Sequence, residues 1–100
     1  MAGEKEYKTE WCRKNNGKPE VRFQDGTRCD CITEYNAVEI EFGNKWYETV
    51  GQQSLHYAIQ SGKKAGIAII LEKETDKKYW TRMIHVIKTY KLPIDTWIIK

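Results

Sequence analysis

The chain has 100 residues, with 17 Lys and Arg against 14 Asp and Glu, for a formal net charge of +3. This length provides one compact core and no room for a second catalytic unit, so residues 1–100 read as a single domain whose activity fits on one sheet-and-helix layer or is completed by a second copy. The mild basic excess is compatible with a nucleic-acid partner and does not require one.

The longest apolar run, Ala65 to Leu71, is strand-sized and interrupted by Gly66, far short of the ~20 residues that cross a bilayer. The opening Met-Ala-Gly-Glu-Lys lacks the apolar stretch of a signal peptide. There are three cysteines. Cys29 and Cys31 are too close along an extended strand to bridge each other, which argues against a secreted disulfide scaffold and for buried thiols in a reducing cytoplasm. A zinc site built from Cys12, Cys29 and Cys31 with His56 or His85 lacks a second pair at ligand spacing.

Taken in chain order, residues 4 to 14 read as a helix, with Tyr7 and Trp11 at i,i+4 spacing and Asn15-Asn16-Gly17 as its stop. Glu20 to Phe23 alternates polar and apolar, and Asp25-Gly26 turns the chain into a second strand, Arg28 to Thr33. In that strand a period of two predicts Cys29 and Cys31 on one face and Arg28, Asp30 and Ile32 on the other. Asn36 to Phe42 is a third strand. Val38, Ile40 and Phe42 share one face of it, and Ala37, Glu39 and Glu41 share the opposite face.

Asn44 is the expected N-cap of a helix from Lys45 to about Gln60 that stops at Gly62. Tyr47, Gly51, Leu55 and Ala58 form one stripe of this helix, with small Gly51 allowing close approach to a sheet; Trp46, Val50, Gln53 and Tyr57 form a second stripe. Gly66 to Leu71 is apolar on both faces, as a central covered strand should be. A second amphipathic helix runs from Thr75 or Asp76 to Tyr90 with Trp80, Met83, Ile84 and Ile87 inward, and Leu92-Pro93 separates it from a last strand, Asp95 to Ile99. The order αβββαβαβ predicts an α/β sandwich with a mixed sheet.

Two glutamates on one face of the third strand are usually a solvated surface. If the second and third strands are neighbours, however, Asp30 faces Glu39 and Glu41, and three acids converge within a few ångströms. Two bare carboxylates ~4 Å apart repel by roughly 4 kcal/mol at an effective dielectric near 20, so such a cluster takes up protons or holds a hard cation. Mg²⁺ or Mn²⁺ is the natural filling, and it orients a water nucleophile toward a phosphodiester.

Asp30 followed nine residues later by Glu39-Ile40-Glu41, within the order αβββαβ, resembles the PD-(D/E)XK nuclease core. Gln53-Ser-Leu-His-Tyr57 is similar to the Q-x-x-x-Y element of its RecB-like branch. Gly26-Thr-Arg-Cys-Asp30 resembles the glycine-to-aspartate entry seen there and in archaeal Holliday-junction resolvases. The resemblance implies a restriction-endonuclease-like three-layer sandwich with an αβββαβ core and an extra α and β element, acting as a Mg²⁺- or Mn²⁺-dependent nuclease on DNA, branched or single-stranded, as a homodimer.

By that resemblance Asp30 and Glu39 are the metal ligands, the backbone carbonyl of Ile40 is a further one, and Glu10 matches the helix-borne acid that some members add. Gln53 supports the site, and Tyr57, Arg28 and Lys45 contact substrate. Glu41 stands where the motif usually has its lysine, and Lys45 is the candidate for a lysine that has migrated. Cys29 replaces the usual proline. The Glu41 substitution motivates a rival expectation, an inactive nuclease-fold domain that binds nucleic acid or protein.

Overall fold

The computed structural model describes residues 3–100, Gln52 by its backbone alone. Met1 and Ala2, where the expected absence of a leader begins, lie outside the described residues. The elements are α1 (Glu4–Lys14), β1 (Lys18–Arg22), β2 (Arg28–Ile32), β3 (Asn36–Phe42), a composite helix, β4 (Lys64–Ile70), α4 (Lys77–Thr89) and β5 (Ile94–Ile99). They form one five-stranded mixed sheet in the order β1-β2-β3-β4-β5, antiparallel from β1 to β3 and parallel from β3 to β5. The predicted α/β order is therefore present. No helix among the described residues is long and apolar enough to cross a membrane.

Parallel neighbours need crossover connections, and helices supply both of them here. The composite helix and α4 cover one face of the sheet, enclosing Val50, Ile67, Ile69, Met83 and Ile87. On the opposite face α1 covers Val38, Ile40, Ala68 and Ile70, with Trp11 and Trp97 ring centroids 5.3 Å apart. Strand β4 lies between these layers, buried from Ala65 to Ile70, which is why its sequence is apolar on both faces. Each isoleucine it buries contributes about 1.5–3 kcal/mol of transfer free energy.

The composite helix departs from expectation. It runs as a 3₁₀ turn at Gly43–Lys45, α2 (Trp46–Glu48), a π-helical segment at Thr49–Gln53, and α3 (Ser54–Ser61), which ends on Gly62 at φ +71°. Asn44 lies inside the 3₁₀ turn and is not a cap. Of the two predicted stripes, Val50 and Tyr57 are buried, whereas Tyr47 and Gly51 are exposed and a Cβ on Gly51 would meet nothing. The π segment carries an extra residue per turn, so a uniform 100° projection misplaces the faces on either side of it.

The cysteines also differ from their reading. Cys12 of α1 is disulfide-bonded to Cys31 of β2, with Cα atoms 5.7 Å apart. Cys29 is the free, buried thiol. Cys31 belongs to the core under α1, while Cys29 packs with Ala37 and Tyr57 on the other side, so the two do not share a face. The argument from unpaired thiols for a reducing compartment falls away, since disulfides persist in oxidising surroundings. Gly17 lies against the bridge: a Cβ there would stand 2.8 Å from the Cys12 sulfur and closer still to that of Cys31.

The bridge spans 19 residues of sequence. Loop-closure entropy for that length predicts that Cys12→Ser lowers unfolding free energy by about 3 kcal/mol, read as a lower urea midpoint. A reducing agent should lower the parent's midpoint by a similar amount and leave the variant's unchanged.

Candidate acidic site at the parting of two strands

The ladder between β2 and β3 consists of two register pairs, Cys31 with Val38 and Ile32 with Ala37. Past Cys31 the strands separate, and two acids fill the gap reciprocally. The backbone N–H of Asp30 donates to the Glu39 carboxylate at 3.1 Å, and the backbone N–H of Ile40 donates to the Asp30 carboxylate at 2.9 Å. In an extended strand the N–H and C=O of one residue point to the same side, so the Ile40 carbonyl opens on this gap too.

The other side of β2 explains how Asp30 reaches there. Between β1 and β2 the pairing includes Pro19 with Cys31 and Val21 with Cys29, and it omits Glu20 with Asp30. Glu20 adopts φ +52°, a left-handed conformation that costs a non-glycine residue about 1–2 kcal/mol. This break in the pleat separates Cys29 from Cys31 and swings Asp30 out of strict alternation.

Glu39 is 5 % exposed. Burial first, and the adjoining Asp30 carboxyl second, push its pKa up to about 9, so it keeps its proton at neutral pH. Lys8 of α1 supplies the nearest cation: its ammonium is 3.0 Å from Asp30 Oδ1 and 3.4 Å from Glu4 Oε1. Burial works against the Lys8 charge, but the Asp30 and Glu4 carboxylates outweigh it and hold the ammonium above its ordinary range. Neither Lys8 nor Glu4 was expected from sequence. The signal was the spacing of Glu4, Lys8 and Cys12, an i,i+4 line on the face of α1 that the disulfide draws onto β2.

Glu41 does not join Asp30 and Glu39. Its carboxyl accepts from the Phe42 N–H at 2.9 Å and hydrogen-bonds to Glu4, and burial followed by that contact raises its pKa to about 7. The expected convergence of three acids is thus corrected to a pair with a separate Glu4–Glu41 contact, because the Glu41 carboxyl is taken up by the Phe42 N–H and Glu4. Among the described residues no three Asp, Glu, His or Cys side chains group as a metal cage would require.

Of the remaining candidates, Lys45 is exposed, and its charge acts on Glu4 and Glu41. Arg28 pairs with Glu20 at 3.5 Å. Glu10 lies away from the acids, held by Arg13 at 3.0 Å and Lys14 at 3.5 Å. Tyr57 is buried beside the pair; burial and then the Glu39 charge push its hydroxyl pKa up, and its ring centroid is 5.8 Å from that of Phe23. Gln53 is half-buried in the π segment, and no hydrogen bond among the described residues joins it to the acids.

Asp30 is reached from outside through a groove of about 460 Å³ between α1 and β1, lined by Glu4, Lys5, Lys8, Thr9, Pro19, Glu20 and Asp30 itself. Asp30, Glu39 and the Ile40 carbonyl are oxygen donors of the type a hard divalent ion takes, but the two carboxylates already accept the Asp30 and Ile40 N–H groups and the Lys8 ammonium, and they form no three-carboxylate cage. A cation there would favour the charged form of Glu39, which protein groups alone leave protonated.

Glu39 holds a proton in the native state that the unfolded chain releases above the ordinary carboxylate range. Folding therefore takes up a proton, and stability falls as pH rises toward about 9, at up to ~1.4 kcal/mol per pH unit. Glu39→Gln should remove that slope, so its melting temperature gains on the parent's between pH 5 and pH 8. A variant that parallels the parent over this range would show Glu39 to be charged when folded.

No protein-family model matches the chain, and neither the curated proteins nor the solved structures include a significant match.

Proposed function

We propose that the chain is a minimal nuclease domain of restriction-endonuclease-like fold that hydrolyses DNA phosphodiester bonds with Mg²⁺ or Mn²⁺, as a homodimer. The observation that carries the reading is the reciprocal Asp30–Glu39 bridge where β2 and β3 part. It brings the Asp30 and Glu39 carboxylates together beside the Ile40 backbone, with Asp30 on the wall of a groove, inside an αβββαβαβ chain. Asp30 and Glu39 would hold one ion, with the Ile40 carbonyl beside them. When bound, such an ion polarises a phosphoryl oxygen and lowers the pKa of its water.

Hydrolysis forms a bond from a water oxygen to phosphorus and breaks the phosphorus–oxygen bond to the departing nucleotide, which takes up a proton as the water gives one up. The chain's own contribution is to hold the carboxylates rigid through the Asp30 and Ile40 N–H groups and to line the approach with Lys5 and Lys8. A second reading, an inactive domain of the same fold that binds nucleic acid or protein, is favoured by the ammonium of Lys8 on Asp30 and by Glu41 in the motif's lysine position.

Nicking of plasmid and branched DNA separates the two. The parent should nick in Mg²⁺, with Asp30→Asn and Glu39→Gln losing activity by two or more orders of magnitude; equal rates in all three would end the nuclease reading. Millimolar Mn²⁺ should raise the parent's melting temperature and leave that of Asp30→Asn unmoved, because a ligand that binds only the native state stabilises it.

A further inference from the structure

The positive charge of the chain is concentrated on one helix. α4 carries four cations and no acid, which leaves the rest of the chain, with 13 cations against 14 acids, at net −1. At 3.6 residues per turn, Lys77, Lys78, Thr81, Arg82, His85 and Lys88 fall on one face of α4, and all six are exposed. Lys77 is bridged to Glu74, whereas Lys78, Arg82 and Lys88 form no salt bridge among the described residues.

Surface helices ordinarily intersperse the two signs, as α1 does with its Glu4–Lys8, Glu10–Arg13 and Glu10–Lys14 pairs. On α4 the cations repel at i,i+4 from Lys78 to Arg82, and Lys77 and Lys78 stand in the first turn, where the helix dipole favours acids. Both arrangements work against the helix, and an external polyanion reverses both.

We infer that the outer face of α4 docks on the phosphate backbone of a nucleic-acid duplex without reading its sequence. This goes beyond the nuclease reading and stands without it, since α4 packs over β4 and β5 while Asp30 and Glu39 lie between β2 and β3.

The chemistry of the face selects the partner. The apolar side of α4, with Trp80, Met83, Ile84 and Ile87, is packed into the core, so the helix has no face left to bury in a membrane interface. The exposed face holds no aromatic or aliphatic side chain of the kind that centres a protein–protein interface, while nucleic-acid interfaces are polar and strongly positive. The ring beside it, Tyr79, is half-buried, with the Lys78 ammonium 5.2 Å and the Arg82 guanidinium 6.0 Å from its centroid, and it offers no free platform for a single-stranded base. The 13 residues of α4 make a rod of about 20 Å, which faces about six base-pair rises, and Lys78, Arg82 and Lys88 succeed one another at about 6 and 9 Å along it.

The test measures binding of the full chain to fluorescent DNA and RNA duplexes of about 20 base pairs in EDTA, over about 50–200 mM salt. Lys78→Gln/Arg82→Gln should reduce the salt slope of binding by about two units. Lys18→Gln/Arg22→Gln, which removes the same charge from the exposed ends of β1, should keep the parent's slope. All four positions are exposed, and melting temperatures at or above the parent's verify that both variants fold. An α4 variant with the parent's slope overturns the inference, as does an equal drop in both variants, which would mark diffuse attraction only. So does a parent that leaves both duplexes unbound, whether or not it takes up poly-glutamate or phosphatidylserine vesicles. The duplex bound more tightly identifies DNA or RNA as the source of the phosphates. If the parent nicks, Asp30→Asn does not, and the α4 variant keeps its slope, this inference fails and the nuclease reading stands. A parent that never nicks, with slope lost in the α4 variant, gives the reverse.

Discussion

Where β2 leaves β3, the backbone N–H groups of Asp30 and Ile40 lose their ladder partners. A buried donor left without an acceptor costs about 1–3 kcal/mol, so a strand pair can splay only if something else accepts. The Glu39 and Asp30 carboxylates do, each from the opposite strand. The acids therefore hold the gap open whatever else they do, and this accounts for the burial of a glutamate at 5 % exposure without a cation bonded to it. It also makes Asn and Gln the informative replacements, because an amide oxygen keeps the acceptor while removing the titratable group.

The splayed end is closed from one side by α1. Three contacts of different kinds fix that helix. They are the Cys12–Cys31 bond, the Trp11–Trp97 ring contact, and the Tyr7 hydroxyl donating to Glu72 at 2.9 Å in the loop after β4. Because the three are spaced along one helix, Lys8 has little freedom to leave Asp30 by rigid-body motion of α1.

Much of the scaffold was legible. Residues 4–14, 36–42, 64–70 and 77–89 carry strong periodicity or a continuous apolar run, and their neighbours Asn15-Asn16-Gly17 and Gly62 are sharp stops. Asp30 and Glu39 were legible as partners because the β2–β3 pairing follows from chain order. The rest depended on exceptions to regular geometry. Glu20 at φ +52° has no composition signal, yet it breaks the alternation that would have put Cys29 beside Cys31. The π segment at Thr49–Gln53 shifts the helix faces, and the Thr49 and Ser54 hydroxyls there are buried with no hydrogen-bond partner among the described residues. Pairing Cys12 with Cys31 needs the docking of α1, a tertiary fact; once it is known, Lys8 follows from helix spacing.

Gly17 ends α1 by donating its N–H to the Cys12 carbonyl at 2.8 Å, and it sits against both sulfurs of the bridge. On this backbone a side chain at position 17 and a bond between Cys12 and Cys31 exclude each other. The glycine is thus a genetic proxy for the covalent link: a chain of this fold that carries any other residue there must hold its first helix to the sheet without sulfur.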